Sequence, residues 1–281
     1  MQSLTGKLLG LGMMLASTVS MANAQDGGVW GKVASSGELN CGVLTDHIPA
    51  SWKPAGTEKY LGYIPNFCRA IAPALAKDMG KEIKINYVPT SWATVVLDTQ
   101  SGRIDLAGGL SVTEERKKAV DMPGPAYVLS DTILVRKGFP VYKTWEEYNK
   151  PEVRSANTTG TSTERTSLKL LPKAEQLSFK DRPSMLLAMQ SGRADITVSA
   201  FVAALGAMKE APELFGGWVV PEPRNDQPSA FGVRKDGDGR FAAWLQKWSD
   251  AARADGTVQE LLRDALAEGG LDVSDMSGVG K

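Results

Sequence analysis

The residues best suited to chemistry are an arginine and the glycine and hydroxyl residues just before it, in the stretch "AGGLSVTEERKK". Gly109 lets the backbone approach a ligand closely, because it has no side chain. The run SVTE at residues 111–114 fits a capping box and predicts a helix that begins with Ser111 as its cap. Arg116 then falls in the first turn, where its charge opposes the helix dipole unless an anion binds. A planar guanidinium beside exposed N–H groups suits a carboxylate, so we predict a carboxylate site here.

The alternative for Arg116 is an ion pair with a neighbouring glutamate on a solvated helix face. A second stretch bears on this choice. The run "TTGTSTE", residues 158–164, is another hydroxyl-rich glycine turn, and it ends in a capping box from Thr161 to Glu164. Two such helix starts on opposite sides of a cleft would hold a small anion between them. The pair therefore favours anion binding over a surface ion pair.

Both helix starts belong to a chain that repeats one unit. The segment QSGRIDL at residues 100–106 is repeated as QSGRADI at residues 190–196, so that Asp105 aligns with Asp195. In each half, strand and helix patterns alternate at short spacing, which is typical of βα units and a mostly parallel sheet. Coincidence between helix C-terminal glycines is the alternative, but the apolar spacing upstream of the two copies also matches. We predict two α/β lobes, each with the same helix–turn–strand unit.

The N-terminus predicts export. Near the start of the 281-residue chain, one lysine is followed by an apolar run from Leu8 to Ala22 that ends in small residues. This run is too short to cross a bilayer, so residues 1–24 are expected to be a cleavable signal peptide and the mature chain to begin at Gln25. No later segment is apolar enough to span a membrane.

Charge and metal-binding residues exclude several classes of function. The net charge is 0, with 32 basic and 32 acidic residues interleaved, so no nucleic-acid surface is expected. One histidine and two cysteines do not supply a zinc or haem site, so neither metal nor cofactor is expected. Cys41 and Cys68 form an even pair in an exported chain, which favours a disulfide, with two buried thiols as the alternative.

Five stretches carry a resemblance to a known family. "LNCGV", "GRIDLAGGLSVTEERKKAVDM", "TTGTSTE", "GRADITVSAFVAA" and "ADGTVQELL" occur in the order and spacing of the periplasmic solute-binding proteins of polar amino-acid ABC transporters. The sequence resembles this family over nearly the whole mature chain. The resemblance implies a two-lobed α/β "Venus flytrap" in the periplasm, monomeric, that closes on one small ligand and docks to an ABC permease in the inner membrane. The contexts of the two cysteines look like those in the broad-specificity L-amino-acid branch.

The same resemblance implies where the lobes begin and end. Lobe one would comprise residues 25–137 and 230–281, and lobe two residues 138–229. The chain would cross between them twice, near Arg136–Pro140 and near Pro223–Ser229. Closure would be a hinge motion that ligand contacts favour.

Ligand contacts can be carried over position by position. Arg116 matches the arginine that binds the ligand α-carboxylate in the family. The other matching contact positions are Gly109 and Ser111 in lobe one and Thr161, Ser162 and Thr163 in lobe two. His47 falls near the position of an aromatic ring over the ligand side chain, with Trp52 as a substitute and an exposed loop residue as the alternative for His47.

One position departs from the family pattern. Amino-acid-binding relatives place an aspartate for the ligand α-ammonium where this chain has Ala200. A buried ammonium without an anionic partner is costly, so the departure favours a carboxylate ligand without an α-amine. Alternatively, another acid replaces the aspartate; the candidates are Asp226, Asp46 and Glu222. Ala200 and Phe201 fit a less polar end of the pocket or, equally, the core.

Two other functions remain open from sequence. Some relatives on this fold are enzymes of the cyclohexadienyl or arogenate dehydratase type, which need a carboxyl group poised for proton transfer. Glu164 is explained by its capping role, and the sequence shows no acid near Ala200, so an enzyme is not expected. A periplasmic accessory protein that binds a ligand without transport would have the same sequence features.

Overall fold

The protein is described by a computed structural model that covers residues 27–272 and 278–280; the predicted signal peptide lies outside these residues. The helices, α1 to α10, are Gly28–Ser36, Tyr63–Met79, Val95–Gln100, Glu114–Ala119, Trp145–Tyr148, Ser162–Leu170, Arg182–Gln190, Phe201–Glu210, Arg240–Ala254 and Thr257–Glu268. The strands, β1 to β12, are Glu38–Val43, Asp46–His47, Ser51–Trp52, Lys84–Pro89, Leu106–Ser111, Tyr127–Arg136, Arg154–Thr158, Glu175–Phe179, Ile196–Ala200, Phe215–Val219, Asp226–Gly232 and Val279–Gly280. None of the helices in this part of the chain has both the length and the hydrophobicity needed to cross a membrane.

Helix α2 shows how the sequence pattern becomes packing. Ile64, Phe67, Ile71 and Leu75 recur every three or four residues and are all buried, so one face of the helix covers the first sheet. Gly80 ends the helix with φ 63°, a left-handed conformation that only glycine adopts at low cost, and its N–H donates to Ala76 O. Local sequence signals thus explain both the buried face and the end of this helix.

The two lobes have the same strand order. In the first, β4, β1 and β5 lie side by side and parallel; in the second, β8, β7 and β9 do. The long strand β6 joins the two sets, pairing antiparallel with β11 on one side and β9 on the other. Each sheet is therefore mixed: its three-stranded core is parallel, as predicted, and the strands that join the lobes are antiparallel.

The repeated segments occupy equivalent places in the two lobes. Helices α3 and α7 precede them, and strands β5 and β9 follow. In the first copy, Asp105 accepts the backbone N–H of Asn40 on β1 and donates its own N–H to Asn40 O. In the second, Asp195 makes the same two bonds with Arg154 on β7. The repeat in the sequence thus encodes one hydrogen-bonded corner used twice.

The passage between the lobes lies earlier than the sequence predicted. Residues Tyr127 to Ser130 of β6 pair with β11, whereas Asp131 to Val135 pair with β9. The first crossing is thus inside a strand, between Ser130 and Asp131, and not at Arg136–Pro140. An uninterrupted strand carries no turn residues that would mark the point. Near the predicted return crossing, the carbonyl of Asn225 accepts from the N–H of Asp131.

Two further elements were not predicted. Helix α1 precedes the first strand, and helix α8 begins directly after Ala200. Phe201 starts α8 fully buried and packs edge-on against Trp218, so it belongs to the core and not to the cavity. Near the C-terminus, Val279 and Gly280 pair with β6.

A disulfide joins Cys41 on β1 to Cys68 on α2 and links the sheet to the helix that covers it. Both cysteines are fully buried. Replacing both by alanine is expected to lower the free energy of unfolding by about 3–4 kcal/mol, because the bond closes a loop of 27 residues in the unfolded chain. Urea denaturation of the two proteins would measure this difference. Equal stability would show that the bond adds nothing beyond the packing of two small apolar side chains.

Candidate ligand-binding site

A cavity of about 90 Å³ lies between the two lobes. Its walls come from the ends of strands β5 and β9, the middle of β6, the first half of β11 and helices α6, α7 and α8. A water molecule needs roughly 10–15 Å³ by this kind of measure, so the space would hold several waters or one small molecule. Eight of the nine residues predicted to contact a ligand line it: His47, Gly109, Ser111, Arg116, Thr161, Ser162, Thr163 and Ala200.

Arg116 lies at one end of the cavity and is only 4% exposed. Its guanidinium donates to the carbonyl of Ser111 at 3.0 Å and, across the cleft, to that of Gly160 at 3.3 Å. Burial and the nearby positive charge of Arg165 lower the pKa of Arg116 to about 10. Both acceptors are neutral carbonyls, so the site favours an incoming anion.

The capping prediction at this helix is wrong in one respect. Helix α4 is capped by Thr113, whose hydroxyl accepts the N–H of Arg116, and not by Ser111. Ser111 ends strand β5, and its hydroxyl is instead hydrogen-bonded to that of Ser162 at 2.8 Å. The sequence "SVTE" offers two hydroxyl residues, and the strand extends to the first. Ser111 is therefore available to the cavity.

On the second lobe, Thr161 caps helix α6 as predicted, with its hydroxyl accepting the N–H of Glu164 at 3.1 Å. Glu164 reaches back one residue further than a capping box requires and accepts from the N–H of Gly160. The hydroxyl of Thr163 donates to that of Thr161 at 3.1 Å. These bonds fix a hydroxyl-rich rim opposite Arg116.

Gly109 is constrained from two directions. Its φ is 70°, and a Cβ there would lie 2.8 Å from the ring of Tyr63 and 2.9 Å from the hydroxyl of Tyr127. Only glycine satisfies both conditions. The backbone of β5 can thus form the cavity wall at a point where a side chain would fill it.

An acid does lie next to Ala200, contrary to the sequence prediction. Asp131 is the direct partner of Ala200 in the pairing of β6 with β9, lines the cavity and is 1% exposed. Thr166 and Asn225 each donate to its Oδ2 at 2.7 Å. Burial nevertheless raises the pKa of Asp131 to about 6. Little in the sequence distinguishes this residue, because it lies in the middle of a strand between Ser130 and Thr132.

The three acids considered as replacements for the missing aspartate do not line this cavity. Asp226 accepts from Ser130 Oγ at 2.5 Å and is about half exposed. Asp46 lines only an adjoining cleft at the cavity mouth. Glu222 is exposed and accepts from the N–H of Arg224.

The aromatic wall comes from His47 and Trp92 and not from Trp52. The rings of His47 and Trp92 meet edge-on at 5.7 Å between centroids, and both line the cavity. Trp52 on β3 pairs with Asp46, is 9% exposed and does not line the cavity. Tyr63 and Arg182 also line it and were not singled out from sequence.

Several contacts between the lobes surround the cavity. Besides Arg116–Gly160 and Ser111–Ser162, the Arg165 guanidinium lies 3.3 Å from Glu115. At the opposite rim, Arg182 of the second lobe donates to the carbonyl of Ile48 in the first at 3.3 Å. The structure therefore represents a closed cleft.

Acidification is expected to weaken this closed form through His47. Removal from water and the positive charge of Arg182 hold the pKa of His47 well below its usual 6.5. The unfolded chain thus takes up a proton that the folded protein does not, so stability falls as pH drops below about 6.5. Thermal melts of wild type and His47→Phe between pH 7.5 and 5 would isolate this contribution, because the pH dependence due to all other groups is the same in both proteins. Parallel pH profiles would contradict it.

The fold and the cavity together define a class: two α/β lobes that share strands and enclose one small-molecule site between them. The chain belongs to the bacterial extracellular solute-binding proteins, family 3, whose pattern matches residues 39–267. Curated relatives of this chain include amino-acid-binding components of ABC transporters and one enzyme.

Three relatives illustrate the different functions found among proteins similar to this chain. The glutamine-binding protein of an ABC transporter of Bacillus subtilis is 28% identical over 211 residues, 74% of each chain. The L-cystine-binding protein of Escherichia coli is 25% identical over 89% of this chain and 91% of its own. The cyclohexadienyl dehydratase of Pseudomonas aeruginosa is also 25% identical, over 84% of this chain and 85% of its own.

Solved structures show the same fold. An ancestral amino acid-binding protein, described as a precursor of cyclohexadienyl dehydratase, superimposes with a TM-score of 0.69. It is 32% identical, and the match covers 83% of this chain and 97% of that one. An amino-acid transporter substrate-binding protein of Streptococcus pneumoniae, bound to L-arginine, has a TM-score of 0.72 at 22% identity over 86% of this chain and 99% of its own, which supports the fold alone.

Proposed function

We propose that the protein is the periplasmic binding component of an ABC importer and that it captures a small α-amino acid between its lobes. Family membership supports the transport role. The observation that carries the ligand class is the pair of opposite charges in one cavity: the buried guanidinium of Arg116 and the buried carboxylate of Asp131. A zwitterion offers each of them a partner.

The carboxylate end of the ligand would bind at Arg116. The guanidinium can turn from the carbonyls of Ser111 and Gly160 to a bidentate carboxylate, which is the stronger acceptor. The hydroxyls of Ser111 and Ser162, now bonded to each other across the cleft, would then also face that carboxylate. One ligand thus touches both lobes and favours the closed form over an open one.

The ammonium end would bind at Asp131. Its Oδ2 already accepts two hydrogen bonds, both from neutral donors, which leaves Oδ1 for a ligand. The raised pKa of Asp131 shows that these two bonds do not offset the cost of burying the charge. In this proposal Asp131 takes the role that the family assigns to the position of Ala200, from the neighbouring strand.

A thermal-shift screen tests this function. The chain from Gln25 onward is melted with each amino acid and with the corresponding oxo- and hydroxy-acid. A ligand at a hundred times its dissociation constant adds about 2.7 kcal/mol to stability, which raises the melting temperature clearly. Stabilisation by an amino acid and not by its deaminated counterpart is expected. If only the oxo- or hydroxy-acid raised the melting temperature, the ligand would be an acid without an amine. If neither set raised it, the proposal would be contradicted.

A cleft enzyme is a second candidate, and Asp131 is the observation in its favour. A buried carboxyl group with a pKa of about 6, in the same cavity as a carboxylate-binding arginine, has the properties of a general acid. Incubation with arogenate would decide between the two roles. Substrate consumption that disappears in Asp131→Asn supports the enzyme, whereas stabilisation by a ligand without turnover supports binding alone.

A further inference from the structure

A second arginine faces the cavity, and neither the carboxylate site nor the ammonium site uses it. Arg182 is the first residue of helix α7 and is 5% exposed. It lines both the main cavity and the adjoining cleft at its mouth. A positive charge in the first turn of a helix opposes the helix dipole, so its position is not explained by helix stability.

The contacts of Arg182 leave part of its guanidinium unused. Its Nη1 donates to the carbonyl of Ile48 at 3.3 Å. Its Nη2 lies 3.0 Å from an oxygen of Glu210, but the angles do not form a hydrogen bond, and Nη2 has no hydrogen-bond partner among residues 27–272 and 278–280. A guanidinium has five N–H donors, so this buried group has donors to spare. Buried donors of this kind are costly unless a ligand pairs with them.

The surroundings of Arg182 define what could approach it. Met185, Ala203 and Ala207 line the same cavity and are apolar or small. His47, on the facing lobe, is held neutral by its environment. The charged lining residues are then Arg116, Arg182 and Asp131, with one positive charge more than negative ones when Asp131 is ionised. Glu210 does not line the cavity, and one of its carboxylate oxygens lies 3.0 Å from Nη2 of Arg182.

We propose that Arg182 selects the ligand side chain: it binds one that ends in a carboxylate or carboxamide after a short apolar stem and excludes one that ends in a cation. This rests on the proposed function, since Arg116 and Asp131 must hold the α-carboxylate and α-ammonium. A lysine side chain would place a second cation beside Arg182, where little water screens the repulsion.

Four amino acids of similar length test the proposal: glutamate, glutamine, lysine and norleucine. Dissociation constants of the wild-type protein at pH 7.5 are measured by calorimetry. Glutamate and glutamine are expected to bind at least about tenfold more tightly than lysine and norleucine, since a hydrogen bond to a charged group is worth at least that factor. Equal or tighter binding of lysine or norleucine would overturn the proposal while leaving the proposed function intact. Failure of all four to bind would overturn the proposal for Arg182, whereas the proposed function is overturned only if no amino acid in the thermal-shift screen stabilises the protein.

Variants locate the effect at Arg182. In Arg182→Gln, glutamate is expected to lose at least about tenfold in affinity while norleucine stays within about threefold. The double variant Arg182→Gln with Glu210→Gln leaves no unpaired carboxylate behind and keeps the test valid if the single variant is unstable. Arg193→Gln, an exposed arginine just past the other end of α7, is the matched control and is expected to bind like wild type. An unchanged preference for glutamate in the double variant would assign the selectivity to another residue.

Discussion

Arg116→Ala is expected to abolish ligand-induced stabilisation. Loss of one partner of a buried, hydrogen-bonded charge pair costs about 2–5 kcal/mol, which is about 30-fold to several thousand-fold in affinity. The unliganded protein is expected to remain as stable as wild type or to gain slightly, because the variant removes a buried cation whose hydrogen bonds go to neutral carbonyls. Calorimetry with the ligand found by the screen measures the first effect, and thermal melts without ligand measure the second.

Two further variants make this result specific. Lys117 is adjacent, half exposed and paired with Glu114 alone within the part of the chain that the structure describes, so Lys117→Ala should bind like wild type. Arg116→Lys keeps the charge but loses the planar fork and is expected to bind with intermediate affinity. Unchanged affinity in Arg116→Ala would show that the carboxylate site is elsewhere.

Asp131→Asn is expected to have opposite effects on binding and on stability. If the ligand carries an α-ammonium, the variant leaves that charge buried without an anionic partner and binding falls by about a hundredfold or more. If the ligand has no amine, affinity stays the same or rises, because a carboxylate no longer repels the ligand. Calorimetry with an amino acid and its oxo-acid distinguishes these cases. Glu222→Gln, at an exposed acid that does not line the cavity, is the control.

The pKa of Asp131 determines whether its ionisation stabilises or destabilises the folded protein. The folded-state pKa of Asp131, about 6, lies above the value near 3.8 expected in the unfolded chain. Ionisation therefore costs folding free energy, about 2–4 kcal/mol when complete, and this cost grows as pH rises from about 4 through 6. Asp131→Asn should stabilise the unliganded protein at pH 8 and change little at pH 4. A variant less stable than wild type at pH 8 would show that the carboxylate is already compensated in the folded protein.

The same titration affects ligand capture. An ammonium partner favours the ionised carboxylate, so amino-acid affinity is expected to fall as pH drops below about 6. A buried carboxylate that destabilises the free protein and is offset only by a ligand is typical of a site kept for function at the expense of stability.

Much of the fold was predictable because local signals agreed with one another. The apolar period of α2, the left-handed Gly80 at its end and the repeated QSGR corner each have a local physical cause, and the structure places them as expected. Arg116 and the hydroxyl-rich turn at Thr161 were also identifiable, since glycine, hydroxyl and arginine residues at a helix start mark an anion site by residue type alone.

Sequence reasoning failed where the answer depends on tertiary structure, and the examples are Ser111, Trp52 and Asp131. Whether Ser111 or Thr113 caps α4 depends on how far strand β5 extends, which pairing with β11 decides. Trp92 and not Trp52 meets His47, because the loop after β4 lies over the cavity. Asp131 faces Ala200 only through the register of two strands that are about seventy residues apart in sequence.

The sequence by itself determined the α/β architecture through its periodicity and the family through the resemblance of its motifs, and it identified Arg116 as the residue proposed to bind a carboxylate, because these signals lie within a few residues of one another. The tertiary structure alone decided the rest of the site: the acid beside Ala200, the second arginine in the cavity and the crossing inside β6. Each of these depends on strand register or on contacts between lobes, and such long-range pairings leave no trace in local sequence patterns.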